Sequence, residues 1–166
     1  NVCGDDCLNG VPQTVRVEIN PRPRVIVQPT ADTLCYDEGI TFNVATGNGT
    51  VLGTWSYDVT VSDASDLTKI DNELVGTLTS QAPGNFVQNL VNNDTTLHWI
   101  EYTFTPRIDG KNAFGDDCLN GVAQTVRVEI NPRPRVIVQP TADTLCYDEG
   151  ITFNVATGNG TVLGTW

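Results

Sequence analysis

GDDCLNGVPQTVRVEINPRPRVIVQPTADTLCYDEGITFNVATGNGTVLGTW occupies residues 4–55, and the same text with Ala123 in place of Pro12 occupies residues 115–166. Of fifty-two aligned positions one differs, and the shift from Gly4 to Gly115 is 111 residues. Short-unit solenoids repeat every ~20–50 residues. A period of 111 residues is instead that of a whole domain, near the ~100 residues of a sandwich module. The chain therefore reads as three pieces of a tandem array. Residues 1–22 are the C-terminal tail of one repeat, residues 23–132 a complete repeat, and residues 133–166 the N-terminal part of the next. On this reading both ends of the chain are cuts in an array.

Within the complete repeat the signals are those of strands and turns. Residues 14–20 (TVRVEIN) alternate Val15, Val17 and Ile19 with Arg16 and Glu18, the period-two pattern of a half-buried strand. Pro21-Arg22-Pro23 then interrupts the ladder, because proline has no N–H to donate. Further strands are expected at residues 25–28, 39–46, 51–61, 73–78, 86–91, 95–108 and 122–131, with residues 30–38 and 62–72 as loops. In the 95–108 segment Leu97 and Trp99 are expected in the core, with Tyr102 and Phe104 contributing, and His98 as an exposed or loosely packed neighbour. About seven short strands without helix signals describe an all-β sandwich.

The net charge of −11 and pI of about 4.2 make nucleic acid and anionic membrane poor partners. No run of ~18 apolar residues spans a membrane. Five cysteines in a β-rich chain suit an oxidising compartment. Two of them, Cys35 and Cys118, fall in the complete repeat, in segments expected to meet at one end of the sandwich, so a Cys35–Cys118 disulfide is expected. It would close a loop of roughly 80 residues and contribute about 4 kcal/mol; free thiols are the alternative. By the same logic Cys7 would pair upstream and Cys146 downstream, and Cys3–Cys7 is a local alternative.

The order QP-x(5)-LC-x(2)-EG (Gln28 to Gly39), GTW (Gly53 to Trp55), YTFTP (Tyr102 to Pro106) and C-x-NG-x(2)-QTVRVEINPRP (Cys118 to Pro134) resembles the PKD-like repeats of giant Bacteroidetes surface proteins, especially SprB-type gliding-motility adhesins. The resemblance spans the full repeat and both partial ones. It implies tandem immunoglobulin-like (PKD-like) β-sandwich repeats, type IX secretion, an extracellular location with outer-membrane anchoring, and cell-surface adhesion during gliding. Its implied partners are the neighbouring repeats, an external surface or polysaccharide, and the secretion and motility machinery through other regions. The WDFGDG-like run of the name-giving domain is absent.

Nothing in the sequence points to catalysis. His98 is the single histidine, and Ser56, Ser62, Ser65 and Ser80 have no partner set at recognisable spacing. No cofactor is expected. Calcium is the one metal to weigh: Asp63, Asp66 and Asp71 share a loop, and Asp37-Glu38 and Asp116-Asp117 flank the cysteines, against the plainer reading of a solvated acidic surface. Trp55, Tyr57, Trp99 and Tyr102 are either core or a sugar-binding platform. Asn48-Gly-Thr and Asn93-Asp-Thr match the N-glycosylation sequon. Asp32-Thr-Leu and Asp94-Thr-Thr resemble the Bacteroidetes O-glycosylation site, which nominates Thr33, Thr95 and, by repetition, Thr144. Three functions follow as expectations: an adhesin body, an inert spacer holding a distant domain, or a carbohydrate-binding module.

Overall fold

The computed structural model describes residues 10–110, 115–142 and 144–165. Among these residues there are eleven strands, one short 3-10 turn at Leu67–Lys69, and no α-helix. The strands are β1 (Val25–Gln28), β2 (Ala31–Leu34), β3 (Glu38–Thr46), β4 (Thr54–Ala64), β5 (Ile70–Asp71), β6 (Thr77–Gln81), β7 (Gly84–Asn92), β8 (His98–Asp109), β9 (Gln124–Ile130), β10 (Val136–Pro140) and β11 (Phe153–Thr157). They form one sheet in the order β1-β3-β7-β5, a second in the order β2-β9-β8-β4-β6, and a separate β10-β11 pair. The first two sheets pack face to face in a β-sandwich-like arrangement.

Their contact is a single apolar core whose members run from Val25 to Ile130. Phe42 of β3 stacks on its ladder partner Phe86 of β7. It also meets Tyr102 and Phe104 of β8 across the sheets, each with ring centroids 5.4 Å away. Aromatic pairs at such distances contribute about 0.5–1.5 kcal/mol beyond the area they bury. Burial in this core raises the phenol pKa of Tyr102 well above its ordinary value.

Several expectations need correction. β8 buries His98, Ile100, Tyr102, Phe104, Pro106 and Ile108, and leaves the residues between them half-buried. Leu97 and Trp99 therefore lie off the core face, since a strand presents only every second residue to one side. Tyr102 and Phe104 do point inward, and His98, expected to be exposed or loosely packed, is buried. Residues 31–34, expected as loop, form β2, because the chain changes sheets at Pro29 and Leu34 buries beside β9. β6 lies a few residues later than the expected 73–78 strand; it is an edge strand almost wholly exposed, with no apolar alternation to mark it.

The duplicated sequence takes two forms. QTVRVEI at Gln124–Ile130 is β9, with Val126, Val128 and Ile130 fully buried. The same residues at 13–19 form no ladder, and Val15, Val17 and Ile19 are 79%, 77% and 89% exposed. The expected strand at 14–20 is thus absent, for want of a neighbour like β8 beside it. By contrast β10 and β11 pair in the register of β1 and β3 shifted by one repeat: Val136↔Thr157 copies Val25↔Thr46, and Val138↔Val155 copies Val27↔Val44. Their apolar face is uncovered, with Phe153 55% and Val155 66% exposed where Phe42 and Val44 are buried.

A side chain stitches the two main sheets at their seam. The Gln124 amide donates to the Val27 carbonyl (2.9 Å) and accepts from the Val27 N–H (3.0 Å), imitating a strand's backbone. Val27 has no solvent exposure, so water cannot replace either bond. Gln124→Ala is expected to lower stability by about 1–3 kcal/mol, the cost of stranding buried polar groups. Urea unfolding that gives the same midpoint and slope for both proteins would refute this role.

Candidate functional site

The structure's most elaborated polar site lies where residues 23–132 meet the copy that follows. β9 ends at Ile130, and the next residue, Asn131, faces both ways. Its N–H donates to the Leu34 carbonyl of the complete repeat (2.9 Å), and its side-chain oxygen accepts from the Leu163 N–H of the next copy (2.8 Å). Pro132-Arg133-Pro134 follows, in which neither proline can donate.

One side chain bonds the backbone on both sides of Pro134. Asn159 Nδ2 donates to the Arg133 carbonyl (2.9 Å), and its oxygen accepts from the Arg135 N–H (2.6 Å). The clamp brackets Pro134, and Gly158 N–H closes on the Arg135 carbonyl at 2.8 Å. One repeat earlier the same clamp is made again. Asn48 donates to the Arg22 carbonyl (3.0 Å) and accepts from the Arg24 N–H (2.7 Å), Gly47 N–H donates to the Arg24 carbonyl (2.8 Å), and Asn20 accepts from the Leu52 N–H (2.7 Å). Each bond agrees with its copy to within 0.1 Å.

The turn after Asn159 docks on the complete repeat. Gly160 N–H donates to the Thr95 carbonyl (2.8 Å), and Leu97 N–H donates to the Thr161 carbonyl (2.7 Å). Gly160 has no room for a side chain, since a Cβ there would lie 2.5 Å from Thr96 Cγ2. Arg133 places its guanidinium over the Tyr36 ring, 5.7 Å from the centroid. A cavity at this contact is lined by Cys35, Tyr36, Pro132 and, from the next copy, Leu163, Gly164 and Thr165.

The receiving loop at residues 94–97 is held rigidly from below. Asn92 is 1% exposed and donates to the carbonyls of Thr96 and Ile130, both at 2.8 Å, while its oxygen accepts from the Asp94 N–H. Asp94 accepts from the Thr95 N–H (2.6 Å) and pairs with His98 Nε2 at 3.0 Å. On the other side of the ring, Nδ1 lies 2.8 Å from the Ser65 hydroxyl. Ser65, His98 and Asp94 in a row evoke a hydrolase triad, but the aspartate sits on Nε2 and the serine on Nδ1, the reverse of that template. Ser65 Oγ also accepts from the Trp99 N–H at 3.0 Å. The arrangement ties β4 to the start of β8 and orients the docking loop.

The His98 hydrogen bond, and after it the Thr95 N–H, hold the Asp94 carboxyl down at about 2, from an ordinary 3.8. A depressed carboxyl stabilises the fold above its unfolded value, and the contribution fades as pH falls through the folded value. The Asp94 contribution is therefore complete above about pH 4 and is lost toward pH 2.

At the opposite end of the complete repeat, Arg107 joins Asp109 (2.5 Å), Asp117 (3.2 Å) and Asp58 (3.7 Å). The Asp109 hydrogen bond raises its pKa most. Here Cys118 exchanges hydrogen bonds with Ile108 (3.1 and 2.8 Å), and Arg22 Nε donates to the Asn120 carbonyl at 2.6 Å.

This geometry corrects the expected disulfide. Cys35 and Cys118 are both free thiols. Cys35 follows Leu34, which pairs with Ile130, which pairs with His98 at the start of β8; Cys118 pairs with Ile108 near its end. The ten residues from His98 to Ile108 span about 33 Å of strand, whereas bridged cysteines need Cα atoms within about 7 Å. Cys146 is also free, and Cys3 and Cys7 lie outside the described residues.

The other candidates are placed as follows. Thr33 is exposed on β2, Thr144 is exposed, and Thr95 lies in the docking loop with its carbonyl bonded to Gly160. Among the described residues, no three of His, Cys, Asp or Glu gather to hold a metal. Asp63 accepts from the Ala64 N–H, Asp66 caps the 3-10 turn through Thr68, and Glu38 accepts from the Cys35 N–H. Of the four aromatics weighed as a platform, Trp55, Tyr57 and Tyr102 are in the core, and Trp99 lies 4.1 Å beneath the Arg127 guanidinium. The Trp55 indole N–H donates to the Arg24 carbonyl at 3.2 Å.

Sequence reasoning saw Asn48 without its role in the clamp, and missed Asn159 and Asn92 entirely. Asparagine before glycine signals a turn, and nothing in it reports that the amide reaches back to a linker. Comparison with protein-family models, curated proteins and solved structures returned no match.

Two measurements test the site. His98→Ala should return the Asp94 carboxyl toward 3.8; a side-chain NMR titration that leaves it near 2 would show that the imidazole is not the cause. Asn159→Ala should speed amide exchange at Gly160 by about tenfold or more, the worth of one to two lost hydrogen bonds. Unchanged protection would mean that the turn docks without the clamp.

Proposed function

We propose that the chain is a stretch of a tandem array of immunoglobulin-like, PKD-like sandwiches that forms the extended body of a large extracellular adhesin. The observation that carries this reading is the duplicated linker clamp, made twice with the same bonds at lengths within 0.1 Å of each other. A junction that reproduces itself lets a chain of domains extend as one semi-rigid fibre, each unit touching only its neighbours. The uncovered faces of β10 and β11, which match the core faces of β1 and β3, support residues 133–166 as the opening of another unit.

The strand order supports the immunoglobulin-like assignment. With β1, β3, β4, β7, β8 and β9 as strands A, B, C, E, F and G, the sheets read A-B-E and G-F-C. One departure is that the two-residue β5 precedes β6, so the D and C′ positions are visited in reverse order.

The resemblance to SprB-type repeats supports reading such a fibre as a cell-surface one, exported by the type IX route, anchored at the outer membrane, and used in attachment and gliding. Binding to an external surface or polysaccharide would gain from repetition through effective concentration. On this reading the chain is not an enzyme: Ser65, His98 and Asp94 serve the docking loop. An inert spacer is the second reading, favoured by the charge of −11. A carbohydrate-binding module is the weakest, since three of its four aromatics are in the core.

A fluorescent Fab against this repeat, followed on living source cells, tests the proposal. Signal travelling along the cell surface is the expected result. Signal fixed in place would remove the gliding role and favour a static stalk.

A further inference from the structure

The two cysteines of the complete repeat stand at opposite ends of it, Cys35 at the outgoing end and Cys118 at the incoming end. We propose that they pair across junctions: Cys35 of one repeat with the copy of Cys118 in the repeat that follows, so that a covalent staple accompanies each linker. The proposal rests on the array reading above.

Two independent superpositions bring the pair together. The first runs through the cavity at the junction, where Cys35 lies with Gly164 and Thr165. These residues are the copies of Gly53 and Thr54. In the complete repeat, Thr54 pairs with Asp109, a Cβ on Gly53 would sit 3.0 Å from Ile108 Cγ2, and Ile108 is hydrogen-bonded to Cys118. The Cys118 copy of the next repeat therefore belongs beside the wall of the cavity that Cys35 lines.

The second runs through the linker arginine. Arg22 donates to the carbonyl of Asn120, two residues from Cys118. Its copy, Arg133, lies over Tyr36, the residue after Cys35. One guanidinium thus has Cys35's neighbour on one side and, in an array, Cys118's neighbour on the other. Residues 23–132 carry one cysteine at each end, which supplies one pair to a junction between two such units; Cys3, whose copy is Phe114, is an additional cysteine of the preceding tail. Cys35 is exposed, as a thiol awaiting a partner must be, and Cys118 is half-buried at the edge of the core.

The chemistry is thiol–disulfide exchange. The Cys35 thiolate attacks a small-molecule disulfide, breaking its S–S bond and releasing one thiol. The Cys118 copy then displaces the second thiol from the mixed disulfide, and an S–S bond joins the repeats. Two cysteine thiols lose two hydrogens, and the oxidant gains them as two free thiols.

The test is a chain lengthened by one unit, residues 1–133 followed by residues 23–166. It is incubated with oxidised glutathione, its free thiols are alkylated, and it is mapped by mass spectrometry. The expected product is a cross-linked peptide joining Cys35 of the first complete unit to Cys118 of the second. It should be absent in the variant carrying Cys35→Ser in the first unit, in which the amide of the second unit's Gly49, the copy of Gly160 at this junction, stays protected. Alkylation of both cysteines with that Gly49 protected overturns the staple and leaves the array reading standing. Alkylation with that Gly49 exchanging freely overturns both.

Discussion

The pairing of β8 on both of its edges is the interaction on which the complete repeat depends. β8 takes β4 along one side and β9 along the other, and turns every second residue into the core. From that strand Tyr102 and Phe104 reach Phe42 of the opposite sheet, and His98 reaches the docking loop. QTVRVEI needs β8 for any structure at all: beside it the heptapeptide is a fully buried-face strand, and without it the valines stand in solvent. β propensity is a fit to a neighbouring surface more than a property of the backbone, and this chain carries its own control.

That duplication separates what is locally encoded from what is not. The β1–β3 register, the left-handed glycine at Gly53 and Gly164 (φ 99° and 101°), the positive φ at Asp37 and Asp148, and the asparagine clamp appear in both copies. They need only residues within some thirty positions of each other. Strand β2 needs β9 from the far end of the repeat, and β9 needs β8 before it; among the described residues their copies form no ladder of that kind.

The same division explains what was legible in the sequence. The repeat length, the all-β class and the alternating strands could be read because apolar periodicity is local information. β8's inward face was misread at Leu97 and Trp99 because a run of aromatic and apolar residues on both parities hides the register. The disulfide was misplaced because loop proximity in a sandwich depends on which end each loop occupies, and Cys35 and Cys118 occupy different ends. The junction was hardest to see. Asn92, Asn131 and Asn159 each reach through the amide to a partner 24 to 38 residues away, and asparagine carries no pattern that announces such a reach.

Asn159 has a geometric consequence for an array. A linker bracketed from both sides by one amide, with its flanking turn bonded to the previous unit, applies the same rise and the same rotation at every step. Repetition of one rigid step is a screw operation. A patch on one unit then recurs at fixed angular intervals around the fibre axis, so a fibre lying on a surface meets it with the same patch at regular spacing, whichever way it has rolled.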